Sequence, residues 1–242
     1  MKNYSENFTT ISKIDCGNKE TWSGKIFLTF DIDWAHDEVL EDTINLITKA
    51  GVDATWFVTH PTKLLRKLRT DLDHELGIHP NFNDLLSGTN QSSSKEIIKD
   101  YLRIVPDAKS VRSHSLTQSE RLVDQFHGCG LTHISNFFIP YGNLSPIAPF
   151  QLWDEMAIIP HCWQDNVALR ISSCFPNTVK DVAGLHVVNF HPIHIFLNTE
   201  NLERYEKTRQ LHQKPRELIN FRHQGQGTRS VFMKLLGIDD LD

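Results

Sequence analysis

Through its first half this chain alternates short apolar, β-branched runs with stretches of helical period, and the runs end on ionisable side chains. Lys25 to Asp33 (KIFLTFDID) reads as a strand. His36 to Ala50 then sets Val39, Leu40, Ile44, Ile47 and Ala50 on one helical stripe, with Asp37 and Glu38 in the first turn and Gly51 beyond the last. Asp53 to Thr59 (DATWFVT) is a second strand closed by His60, and Pro61 opens a helix carrying Leu64, Leu65 and Leu68. Glu75 to His79 and Lys109 to His114 read as a third and a fourth strand. Between them lie a polar loop and a helix whose start is marked by the capping pair Ser93 and Glu96. Thr117 with Glu120 repeats that signature before Leu122, Val123 and Phe126. Further strands are expected at 131–139, 153–159 and 185–190, and the chain from Asn201 reads as helix and then loop. Strand, helix and strand recurring at roughly 25–35 residues per unit fit right-handed crossovers and a parallel sheet or barrel. The expected class is α/β.

The 242 residues suit one barrel-sized domain over 1–242, with 1–24 and 201–242 expected at its periphery. A formal charge of −5 argues against a nucleic-acid binder, which needs a basic stripe. Cys16, Cys129, Cys162 and Cys174 show no zinc-ribbon or redox spacing and suit a reducing compartment. No apolar stretch approaches the ~20 residues of a membrane span, and Met1 to Glu6 lacks a secretory pattern. A cytoplasmic protein that does not span the membrane is expected.

Of the thirteen histidines, His60, His79, His114, His161 and His191 stand where an apolar run stops, and Asp31 and Asp33 close another. In α/β folds the strand ends converge on one rim, where chemistry gathers. A rim of imidazole and carboxylate suits a divalent metal. Asp31 and Asp33, two apart on a strand, should face one side, with Phe30 and Ile32 on the other. Carboxylates so placed repel unless a cation lies between them or one is protonated. One then reads as a metal ligand and the other as a general base; strand-end caps or ion-pair partners are the plainer alternative. Pro80 holds His79 in extended geometry, and His74, Asn81 and Asn83 crowd the same loop.

The order TFDID, then ATWF, then HELGIH resembles the polysaccharide deacetylases with the NodB homology domain, whose first motifs are TFDDG and HE(I/L)GxH-(S/T)xxH. The resemblance implies an incomplete or distorted (β/α) barrel around one divalent metal, most simply zinc. It makes Asp31 the general base, with Asp33 and His79 as metal ligands. Asn83 stands where the family has its second histidine ligand, and an amide oxygen ligates zinc poorly beside imidazole. His114 is the candidate to fill that place. The family's RxPY motif is here Arg112-Ser113-His114-Ser115: the arginine, which would pair with Asp31 and hold it ionised, is kept, while proline and tyrosine are gone. The final Leu-x-His motif becomes Asn189-Phe190-His191, and His191 would be the general acid. Trp163-Gln164-Asp165 carries an aromatic and an acid in the region of a fourth motif, in an unfamiliar order. These departures are similar to those of the divergent WbmS-like group.

The expected function is metal-dependent hydrolysis of a C–N amide bond, removing acetyl from an N-acetylated sugar, free or nucleotide- or lipid-linked, in surface-polysaccharide synthesis. Alternatives are a noncatalytic carbohydrate-binding homologue, since Asn83 and the broken RxPY are what decay of catalysis would look like, an amidohydrolase of cyclic amides or ureides, and a glycosyltransferase using Asp31 and Asp33. Arg222 and Arg229, beside Gly225 and Gly227, suit an anionic sugar phosphate, although charged surface loops are common.

Overall fold

Among the described residues ten strands pair into one curled sheet: β1 (Phe8–Thr9), β2 (Ile26–Asp31), β3 (Thr55–Val58), β4 (Glu75–Ile78), β5 (Ser110–Val111), β6 (His133–Ile134), β7 (Phe150–Gln151), β8 (Ala157–Ile158), β9 (Trp163–Gln164) and β10 (His186–Phe190). This computed structural model describes residues 7–89, 91–140, 146–171 and 184–238; Cys174 lies outside them. The strand order is β7-β8-β6-β5-β4-β3-β2-β10-β9, with β1 also against β2. Each neighbouring pair is parallel apart from β7 with β8. Among the described residues no ladder joins β7 to β9, so the barrel is incomplete.

The helices are α1 (Asp37–Ala50), α2 (Leu64–Thr70), α3 (Asn83–Leu86), α4 (Ser94–Ile104), α5 (Glu120–Gly128), α6 (Asp165–Ile171), α7 (Pro192–Leu197), α8 (Leu202–Thr208), α9 (Pro215–Leu218) and α10 (Thr228–Leu236). The stripe on α1 is the buried face expected, and Gly51 ends the helix at φ 63°. Ser93 and Glu96 form both halves of a capping box on α4. On α5, however, the cap is Ser119 and not Thr117, whose hydroxyl instead donates to the His114 carbonyl at 3.3 Å.

Alternation along the strands divides the core. Leu28, Phe30, Trp56, Val58, Val188 and Phe190 face the helices, and Phe27, Phe57 and Val187 face the barrel interior. Residues from both ends of the chain enter the core. Ile11, Ile14 and Trp22 fill the interior beside Phe27 and Phe57, and the Ile11 N–H donates to Thr55 Oγ1 at 3.0 Å. An open barrel base needs an apolar cover, and three side chains on a polar, aperiodic segment supply it. At the other end of the chain α10 buries Phe232, Met233, Leu235 and Leu236 in the main cluster, Phe232 standing edge-on to Phe30 at 5.7 Å. Gly77 lies where a β-carbon would come within 2.5 Å of Ser110 Oγ and 2.9 Å of the Phe57 ring. Among the described residues no helix is long and apolar enough to cross a membrane.

Candidate active site

The C-terminal ends of β2, β4, β5 and β10 bring Asp31, Asp33, His79, Arg112, His114 and His191 to one rim. Asp31 is the last residue of β2, buried at 3% exposure. Asp33 is not on the strand: it lies in a turn at φ 38°, followed by Trp34 at φ 55°. Non-glycine residues in this left-handed region cost about 1–3 kcal/mol each and persist where the surroundings enforce them. The turn, and not strand alternation, aims the second carboxylate at the first.

Asp33 Oδ1 lies 3.3 Å from His79 Nε2 and 3.3 Å from His114 Nδ1, and these two ring nitrogens are themselves 3.3 Å apart. Oδ1 is buried and has no hydrogen-bond partner of good geometry. Burial alone would raise the Asp33 carboxyl, but the His114 and His79 rings hold it well below its ordinary value. The same contact raises His114. Asn83 does not reach the cluster: it is exposed, and its N–H is engaged by Asn81 Oδ1 at 2.9 Å.

Asp31 is clamped on both oxygens. Arg112 Nη1 donates to Oδ1 at 3.0 Å, and Asn189 Nδ2 donates to Oδ2 at 2.7 Å. Arg112 is fully buried, lies 4.5 Å from the Phe57 ring centroid, and donates further to Asn189 Oδ1, Thr29 Oγ1, Ser135 Oγ and the Ser135 carbonyl. A buried guanidinium requires this degree of pairing. Burial pushes Asp31 up, and Arg112, His79 and His191 together carry it below the usual carboxylate value. Thus the asparagine in the slot where the resemblance puts leucine is a polar partner of the presumed base.

His191 N–H and Nδ1 both meet Asp165, at 2.7 Å to Oδ2 and 2.6 Å to Oδ1. Its Nε2 lies 3.8 Å from Asp31 Oδ2 and 3.6 Å from Asp33 Oδ2. Burial would lower this imidazole, but the Asp165 charge and hydrogen bond push it up to about 10. His194 stands against His191 at 5.7 Å between ring centroids, and burial presses it down to about 4. Asp165, His191 and His194 form a second cluster of donor atoms within 4.8 Å of one another. His191 is thereby fixed from behind, with one ring nitrogen left toward the cleft.

Two histidines of the original five lie elsewhere. His161 is fully buried, bonded through Nε2 to Gln164 Oε1 at 2.8 Å; burial, then the nearby Arg112 cation, push it down to about 3. His60 is half-buried on an adjoining cleft, with Nδ1 2.9 Å from Thr59 Oγ1. Arg222 and Arg229 both engage Asp42 and so tie the C-terminal segment to α1. The residues that sequence reasoning left without a role are Asp165, Asn189 and Ser135. A lone asparagine inside an apolar strand was the signal for Asn189, and Asp165 was visible without a partner.

Over the cluster opens a cleft of about 410 Å³, lined by Trp34, Ile193, Leu116, Tyr205, Arg170 and Arg209 among others. The model of the WbmS-like family, described as polysaccharide deacetylase, matches residues 28–209. This chain belongs to the WbmS-like polysaccharide deacetylases. Among solved structures it is similar to one described as a polysaccharide deacetylase involved in O-antigen biosynthesis (WbmS) from Bordetella bronchiseptica. The two share 42% identity over 97% of this chain and 98% of that one, with a TM-score of 0.92. A polysaccharide deacetylase from Mycobacterium smegmatis aligns at 14% identity over 69% of this chain and 76% of its own, TM-score 0.48. A family 4 carbohydrate esterase from Bacillus anthracis aligns at 15% identity over 98% and 91%, TM-score 0.43. No curated protein matches the chain. The WbmS-like match covers Asp31, Asp33, His79, Arg112, His114, Asp165 and His191.

Proposed function

We propose that this WbmS-like chain is a metal-dependent hydrolase that removes the acetyl group from an N-acetylated sugar during surface-polysaccharide synthesis in the cytoplasm. The observation that carries the reading is the triangle of Asp33 Oδ1, His79 Nε2 and His114 Nδ1, each edge 3.3 Å. Ligand atoms about 2.0–2.1 Å from a tetrahedral zinc ion stand about 3.3–3.4 Å from one another. One carboxylate and two imidazoles are also the donor set that zinc accepts, and the unpartnered Oδ1 leaves its lone pairs free for a cation. Asp33, His79 and His114 would therefore hold the metal. When bound, it acts as a Lewis acid toward the amide carbonyl and makes water more acidic.

The remaining chemistry belongs to the chain. Asp31, kept ionised by Arg112 and oriented by Asn189, accepts the proton of the attacking water. His191 presents Nε2 to the cleft because Asp165 occupies Nδ1; held protonated, it donates to the departing sugar nitrogen. The Asp31–Arg112 and Asp165–His191 pairs are both intact, which supports an active enzyme over a binding protein that has lost its catalysis.

Elemental analysis of the purified chain, paired with an acetate-release screen over N-acetylated sugars, tests the proposal. Asp31→Asn should abolish acetate release and keep the metal, whereas His79→Ala should lose most of it. A metal-replete, fully active His79→Ala protein would refute the site.

A further inference from the structure

Arg170 is a guanidinium in the lining of the candidate active site that the catalytic assignment does not use. It stands on α6, exposed, and faces the cleft of about 410 Å³. The other charges around that cleft have partners. Asp31 meets Arg112, Asp33 meets His79 and His114, and Asp165 meets His191 from behind. Arg209 lies 3.3 Å from Glu206. Among the described residues no carboxylate pairs with Arg170, so its charge has no counter-ion in the protein.

A second donor stands beside it. Asn166 precedes Arg170 by one helical turn on α6, and both residues line the same cleft. A buried relay fixes which end of the Asn166 amide is left over. His161, kept neutral by burial, shares the Nε2 to Gln164 Oε1 contact at 2.8 Å, and Gln164 Nε2 donates to Asn166 Oδ1 at 2.6 Å. Since Gln164 spends its N–H on Asn166, its oxygen must accept, and His161 is the donor at Nε2. With Oδ1 occupied, the NH2 end of Asn166 has no acceptor among the described residues. Two donors one turn apart with no acceptor between them complement an anion. The guanidinium fork matches carboxylate or phosphate oxygens, and the amide supplies a further N–H. A neutral hydroxyl in their place would leave the Arg170 charge without a counter-ion as the ligand displaces water.

We propose that Asn166 and Arg170 form an anion-binding position in the cleft, so that the sugar this chain selects carries a carboxylate or a phosphate as well as its N-acetyl group. This rests on the deacetylase reading of the cleft and adds to it a charge on the substrate. The test is calorimetric binding of the full chain to N-acetylglucosamine, to the corresponding N-acetylated uronate and to N-acetylglucosamine phosphate. One or both charged sugars should bind about 10–100-fold tighter than the neutral one, the range that a charge-assisted hydrogen bond spans, and the tighter of the two identifies the source of the anion. Arg170→Gln should remove that preference and Arg170→Lys should keep part of it. Asn166→Asp still accepts from Gln164 but sets a carboxylate in the position, so it should weaken the charged sugars and spare the neutral one. Equal affinity for all three sugars, a preference that survives in Arg170→Gln, or no binding of any of them overturns the anion position. Acetate release from the neutral sugar as fast as from the charged ones, with equal affinities, would sink it and leave the deacetylase reading standing. An Arg170-dependent preference without acetate release would do the reverse.

Discussion

Replacing His161 with glutamine probes the charge balance beneath Asp31. The imidazole is fully buried near the Arg112 guanidinium and is held down to about 3, against an ordinary value of 6.5. An unfolded chain therefore takes up a proton below pH 6.5 that the folded chain refuses. The sign follows: His161 costs stability as the pH falls below 6.5, and the loss stops growing near pH 3. Between pH 7 and pH 5 the unfolded histidine gains most of a proton; at about 1.36 kcal/mol per pH unit this comes to about 2 kcal/mol. Glutamine keeps a polar group for Gln164 and does not titrate. Urea denaturation of both proteins at both pH values gives a difference of differences in which contributions from other groups cancel. The native chain should lose about 2 kcal/mol more than His161→Gln on acidification. Equal losses would mean that His161 protonates normally when folded, and the placement of Arg112 beside a neutral imidazole would be wrong.

Three further outcomes are expected. Arg112→Met leaves Asp31 buried without its cation and should destabilise the fold by about 3–5 kcal/mol, read by urea midpoint, with loss of acetate release. Gly77→Ala forces a methyl group against Ser110 Oγ and the Phe57 ring and should cost about 1–3 kcal/mol in the same assay, although the residue touches no ionisable group of the site. Asp165→Asn removes the charge that raises His191, so acetate release should fall about 10²–10⁴-fold while elemental analysis shows the metal retained.

The parts of this molecule legible in its sequence are those set by local rules. The α1 stripe, the Ser93–Glu96 box, and the strands ending near Asp31, His79 and His191 declare themselves through period, capping and β-branched runs. What stayed hidden depends on distance. Asn189 meets Asp31 across a parallel pair, and Asp165 meets His191 from the start of α6; a polar residue in an apolar strand does not announce which partner it will find. The N-terminal segment gave no periodic signal because it closes the barrel base with scattered side chains, Ile11, Ile14 and Trp22. Asp33 was assigned to the strand because alternation cannot foresee two successive left-handed residues.

The sheet order has a bearing on how the chain is made. β10 lies between β2 and β9, yet it is the last strand to be synthesised. Until it emerges from the ribosome, β2 has an open edge and the Asp31–Arg112 pair lacks the amide that completes it. Pairing over such a sequence separation is slow and leaves apolar edges open to other chains. Premature termination upstream of β10 would therefore yield a sticky fragment with most of its strands and no finished centre, which cellular quality control would have to hold or destroy.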